Sequence, residues 1–239
     1  MMRTLIRLEI LRIMRNRRYL FFTIIYPVVL FEIMRGSYKG VVIPGFDAKT
    51  YFMVSMATFG TVGAALNTAM RISTERKTGW VRQLRLSALP SWGYVTAKIA
   101  AAAAATLPAI LAVFILGAAQ GVHLSALTWI GLVLALWVGA FVFSALGVAI
   151  GYMAPPDGVQ PIVMIFYIGM AFLGGTWFAI SGTFGKIAGW TPIALYNELG
   201  RTVELGGSVN VGHMIALAAY LVAFIGLAAS LYRRDKQAA

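Results

Sequence analysis

The sequence predicts an all-α integral membrane fold with six transmembrane helices, and three observations carry that expectation. The chain of 239 residues has a mean hydropathy of +0.80, and only 12% of it is charged, where a soluble domain carries about 25%. Several apolar windows reach the roughly 20 residues a helix needs to cross a hydrocarbon core of about 30 Å. The net charge of +12 is unevenly placed along the chain, as expected when Lys and Arg are kept in cytoplasmic segments.

The first element covers residues 2–18, "MRTLIRLEILRIMRNRR", which contain no helix breaker. Met2, Ile6, Ile10 and Ile13 fall on one face at helical spacing, with Leu8 and Leu11 elsewhere around it. A basic helix lying on the inner leaflet, where anionic headgroups attract Arg, fits this pattern. A plain positive-inside flank is the alternative. Spans follow at 19–34, 50–70, 95–119, 127–152, 159–180 and 211–232. The first contains Pro27 and carries Glu32 near its outer end. A cleaved signal peptide would need a small-residue cleavage site that "EIMRGSYKG" offers poorly, so this stretch reads as a membrane anchor.

With both termini in the cytoplasm, the segments 3–18, 71–98 and 233–236 hold fifteen of the twenty basic residues. The outer segments hold only Arg35, Lys39, Lys49, Lys186 and Arg201. The charge therefore reports topology in a multi-pass plasma membrane protein of bacterial type, and no nucleic acid is implied. Span three opens with "IAAAAAATLPAI", whose small side chains allow close helix approach. Span four ends "GVAIGYMAPPDG", with Gly147 and Gly151 as a GxxxG pair and Pro155 and Pro156 stopping the helix. Pro161 suits the first turn of span five. Residues 181–210 lie outside and contain apolar runs too short to cross. Two readings stay open there: segments that dip in and return, lining a cavity, or a surface loop whose short helix pairs Glu198 with Arg201 at i,i+3. No internal repeat divides the chain, which reads as one membrane domain over 1–239.

Catalytic patterns are missing from the sequence. It has no cysteine and no G-x-x-x-x-G-K-[ST] phosphate loop. Its two histidines, His123 and His213, lack metal-ligand spacing, so no metal site is expected. A membrane-embedded enzyme would have to rest on Asp157, Glu198, Glu204 and His213. A self-contained secondary transporter or channel is the stronger alternative, but spans two to six contain no chain of acids for a proton relay.

Residues 71–98 are the informative segment. Connections in compact domains are usually about 4–6 residues, yet this one is long and mixes Trp80, Val81 and Leu84 with Arg71, Arg76, Lys77, Arg82 and Arg85. "SALPSW" at 87–92 reads as a turn, after which Tyr94 to Lys98 re-enter the bilayer. A short two-faced helix that docks onto another molecule accounts for the length.

The run "STERKTGWVRQLRLSALPSWGYVTAK" resembles the segment after the second span of ABC type-2 transporter permeases, matching at Glu75, Arg76, Gly79, Leu84, Leu89, Pro90, Tyr94 and Lys98. The outer "GGTWFAISGTFGKIAGWTPIALYNELGR" is similar to that family's stretch before the last span, with Pro192 and Arg201 in place, although it lacks the Pro frequent near position 185. The resemblance implies an elbow helix at 1–18, a cytoplasmic coupling region at 71–94 and outer re-entrant helices at 181–210. It further implies an exporter of a hydrophobic or amphipathic compound, such as a drug, antibiotic or lipid, built from two permease subunits and two ATPase subunits. ATP and Mg would be bound on the ATPase. Within the coupling region, Trp80, Val81 and Leu84 would give apolar contact and Glu75 and Arg76 would fix orientation by charge, with Gly79, Arg85, Leu89 and Pro90 completing the coupling residues. Pro192, Tyr196, Glu198 and Arg201 would belong to the outer gate.

Overall fold

The computed structural model describes residues 2–37, 47–79, 91–155, 157–177 and 182–237. All regular structure among them is helical. Helix α1, Met2–Met14, ends at Asn16, whose Oδ1 accepts from the Tyr19 amide at 3.1 Å and opens the next helix. That helix, α2 at Arg17–Leu20, runs through a π-helical turn at Phe21–Ile25 into α3 at Tyr26–Ser37. The predicted first span is thus helical throughout, and it packs inward: Phe31 is fully buried, and Gly60 leaves the space that the Pro27 ring fills.

Helices α4, Ala48–Leu66, and α5, Thr68–Lys77, form one rod from Ala48 to Lys77. Asp47 starts it by accepting from the Thr50 amide and hydroxyl at 3.1 and 2.9 Å. Every residue from Thr50 to Val62 is buried, which makes α4 the centre of the molecule. The predicted stop at residue 70 is corrected here. Nothing in "RISTERK" interrupts a helix, so the chain stays helical until Gly79 turns it aside at φ +72°, a conformation only glycine adopts without strain.

Helix α6, Ser91–Ala119, lies beside α4, and α7, Ala126–Met153, crosses both. Ser91 and Trp92 are already helical, which corrects the turn expected at 87–92 for those two positions. Ser125 caps α7, accepting from the Thr128 amide at 3.1 Å. The GxxxG pair is a working interface: a Cβ on Gly147 would come within 2.6 Å of the Ala65 carbonyl oxygen, and one on Gly151 within 3.0 Å of that of Ala69. Backbone therefore touches backbone where α7 meets the central rod.

Helix α8, Val159–Leu173, has 15 residues, about 22 Å of rise and short of a full crossing. The predicted span to residue 180 ends early because Gly175 adopts φ +59° and Gly174 sits against Ile193 with no room for a side chain. Two short helices follow, α9 at Gly182–Ala188 and α10 at Pro192–Glu204. The last helix, α11 at Val211–Gln237, packs mainly on α7 and leaves most of its apolar surface outward. Among the described residues, four segments are long and apolar enough to cross a membrane: Ala48–Lys77, Gly93–Ala119, Ala126–Met153 and Val211–Arg234.

Candidate functional site

The inner end of the rod carries a buried ionic knot. Glu75, on the last turn of α5, is 2% exposed and takes three donors: Lys98 Nζ at 2.6 Å, Tyr94 Oη at 2.7 Å and an Arg12 guanidinium nitrogen at 3.1 Å. Lys98, also buried, reaches Glu9 at 2.8 Å, and Arg71 stands 3.6 Å from the same carboxylate. A carboxylate removed from water is tolerable only when its lone pairs are filled, and here they are. The Lys98 ammonium also lies 5.3 Å from the Tyr94 ring centre, and Tyr94 stacks on Tyr232 of α11 and meets Tyr152 of α7 edge-on. Residues of α1, α5 and α6 are thereby locked by charge, with aromatic rings from α7 and α11 closing the side.

Each position is set by its helix. Arg71 and Glu75 are four apart and Tyr94 and Lys98 four apart, so each pair stands on one helix face. Glu9 and Ile13 turn α1 inward at the same spacing, Ile13 seating among Ala64, Ala101 and Ala105. The alanine run of α6 is what lets α1 approach. Of the apolar face of α1, Ile13 and part of Ile10 thus pack on the chain's own helices.

Of the residues predicted for the coupling region, Glu75 is turned inward and its charge engages its own chain. Arg76 donates to the Gly151 and Ala154 carbonyls at 3.1 Å each, capping the end of α7, and lies over the Tyr152 ring. Gly79 ends the rod at φ +72°. Trp80, Val81, Leu84, Arg85, Leu89 and Pro90 lie outside the described residues. The neighbouring Lys77–Asp157 pair, 3.1 Å apart, is well exposed on both sides and adds little.

At the opposite end, α10 is set into the bundle. Pro192 occupies its first turn, and Tyr196 is fully buried, its hydroxyl donating to the Leu136 carbonyl at 2.6 Å while Gly139 makes room for the ring. Asn197 donates to the Gly174 carbonyl and to Thr176, each at 2.9 Å. Arg201 lies 4.2 Å from the Tyr51 ring centre and donates to Ser55 Oγ at 3.3 Å and the Gly175 carbonyl at 3.2 Å. Burial draws its guanidinium below the ordinary arginine range, an effect Tyr51 and Glu204 oppose. Burial also lifts the Glu204 carboxyl to about 7, with Arg201 pulling it down and Asp47 pushing it up. Glu198 faces away, 2.8 Å from His213 Nδ1. The predicted outer residues therefore divide, Tyr196 and Arg201 facing the core and Glu198 facing α11. The pairing of Glu198 with Arg201 expected of a surface loop gives way to these separate contacts.

Sequence reading missed Glu9, and it matched Tyr94 and Lys98 without giving them a task. The available signal was Glu9 itself, the one acid in a helix otherwise carrying only basic charges. Tyr51, Ser55, Asn197 and Glu204 gave no pattern that singled them out for the outer contacts.

A profile for the ABC-2 family transporter proteins matches residues 45–230. The Bacillus subtilis strain 168 protein YvfS, itself assigned only provisionally as a transport permease, is 27% identical over 238 residues, covering 97% of this chain and 96% of that protein.

Proposed function

The chain belongs to the ABC-2 family of transporter proteins, and on that premise we propose that it is the permease subunit of an ATP-driven exporter of a hydrophobic or amphipathic compound. The observation that supports this reading is the knot at Glu75, because it ties the two helix ends that flank residues 80–90 to each other and to α1. In this reading a separate ATPase, binding ATP and Mg, grips residues 80–90. Two such ATPases act on two permease subunits. The ATPase supplies the chemistry; this chain converts its movement.

The route runs along the central rod. Its 30 residues extend about 45 Å, with Glu75 near the inner end and Tyr51 and Ser55 near the outer one. A displacement of the inner end reaches α10 through the Arg201 contacts, since packed helices shift as bodies and do not deform continuously. The knot makes α5 and α6 move together. Helix α10, wedged by Tyr196 and steadied by Asn197, is the element that opens or closes the outer path, and with α9 it forms the re-entrant pair. Six crossings follow if α2–α3 and α8 complete the bundle within the membrane, with both termini in the cytoplasm.

The test is reconstitution. The chain is placed in liposomes with and without a candidate phosphate-loop ATPase, sought first in the adjacent reading frame, and movement of a panel of amphipathic dyes is followed. Dye movement that requires both ATP and the second protein is the expected result. Movement by this chain alone under an ion gradient would establish a self-contained secondary transporter instead.

A further inference from the structure

The ionic knot contains an excess cation among its described members. Two carboxylates, Glu9 and Glu75, face three cations, Arg12, Arg71 and Lys98. Lys98 is 3% exposed and Arg71 19%, whereas Arg12 is 58% exposed. Glu75 keeps Lys98 and Tyr94 if Arg12 leaves, and the four charges that remain balance. Arg12 is therefore the member that an outside anion can take at least cost to the fold.

The surface around Arg12 describes that anion. Helix α1 turns its single acid, Glu9, into the protein and leaves Arg7, Arg12 and Arg15 exposed together with Leu8 and Leu11. Arg12 and Arg15 are three apart and hence neighbours on the helix surface. Leu8 and Leu11, each four residues before one of these arginines, are exposed beside them on the same face. Guanidinium groups bind phosphate through paired hydrogen bonds, and the exposed Leu8 and Leu11 beside them meet a hydrocarbon chain. No carboxylate stands on this face among the described residues to receive a choline or ethanolamine head.

We propose that the exposed face of α1 holds an anionic phospholipid of the inner leaflet, whose phosphate competes with Glu75 for Arg12. Membrane charge then sets how firmly the base of the coupling region is held. The regulatory half of this proposal rests on the exporter reading; the lipid site does not, and it is measured without nucleotide or partner.

Native mass spectrometry of the purified full chain in phosphatidylglycerol and in phosphatidylcholine tests the site. The expected result is selective retention of phosphatidylglycerol that falls by roughly fivefold for each arginine lost in Arg12→Gln and Arg12→Gln/Arg15→Gln, the size expected of one cation at an anionic surface. Equal retention of the two lipids by the wild type, or undiminished preference in the double variant, overturns it. Amide exchange over residues 71–79 in nanodiscs tests the competition: faster exchange in phosphatidylglycerol than in phosphatidylcholine is expected, and Arg12→Gln abolishes the difference. Identical exchange by the wild type in the two discs overturns the competition, a comparison that needs no variant to fold.

Discussion

At the inner end of the central rod Glu75 meets Lys98, Arg12 and Tyr94, with Glu9 and Arg71 completing the set. At the outer end Arg201 rests on the Tyr51 ring and on the neutral oxygens of Ser55 and Gly175. Both ends bury charge beside the same helix, but they are held differently. Opposite charges in a low-dielectric site depend on one another, so losing one of the buried members, Glu9, Glu75 or Lys98, strands its partner. A cation held by a ring and carbonyl dipoles makes weaker, broader contacts that tolerate a shift. Under the proposed function, this difference suits a rod held firmly at the ATPase side and free to shift beside α10.

The largest effect should come from breaking the inner knot. Glu75→Ala leaves Lys98 with Glu9 alone and is expected to cost about 3–5 kcal/mol, read as a lost or sharply lowered melting temperature in detergent. Glu75→Leu combined with Lys98→Met should recover at least about 1 kcal/mol of that, since matched removal leaves no orphaned charge. Additive losses would mean the two residues do not act as a pair.

The next test separates charge from packing. Gly147→Ala pushes a methyl into the Ala65 carbonyl, within 2.6 Å, and should cost about 1–3 kcal/mol without altering any ionic contact. Thermal stability should fall while its salt dependence stays unchanged.

At the outer end the expected effects are smaller. Arg201→Lys keeps the charge but loses the planar contact with Tyr51, and a loss of about 1 kcal/mol follows. A cost matching that of Glu75→Ala would erase the contrast between the two ends.

The remaining test is a pH dependence at Glu204. Burial raises its carboxyl to about 7 from the ordinary 4.5. An acid raised on folding favours the protonated form, so its stabilising contribution is full below about pH 4.5 and is lost as pH rises through about 7. Melting temperature measured across that window should decline more steeply in the wild type than in Glu204→Gln. Parallel curves would remove Glu204 from the account.

The division between what the sequence disclosed and what it hid follows from the range of each signal. Apolar length and the basic bias marked the long helices, and the coupling motif included Gly79, where the rod ends at positive φ. Gly147 and Gly151 were visible as a pair, although their partner, the rod backbone at Ala65 and Ala69, was not. The early end of α8 at Gly174 was obscured because apolar residues continue past it to Ile180. The ionic knot was least legible: Arg12 and Glu75 stand 63 residues apart, and no periodicity links them. Arg201 was found by its motif, while the ring beneath it came from another helix.

The most direct test of the central claim is export per ATP hydrolysed by the reconstituted transporter carrying Glu75→Gln, a change that keeps the side-chain shape and removes the charge. The account predicts that the variant assembles with its ATPase and hydrolyses ATP but moves several-fold less substrate for each ATP. An unchanged ratio would contradict it.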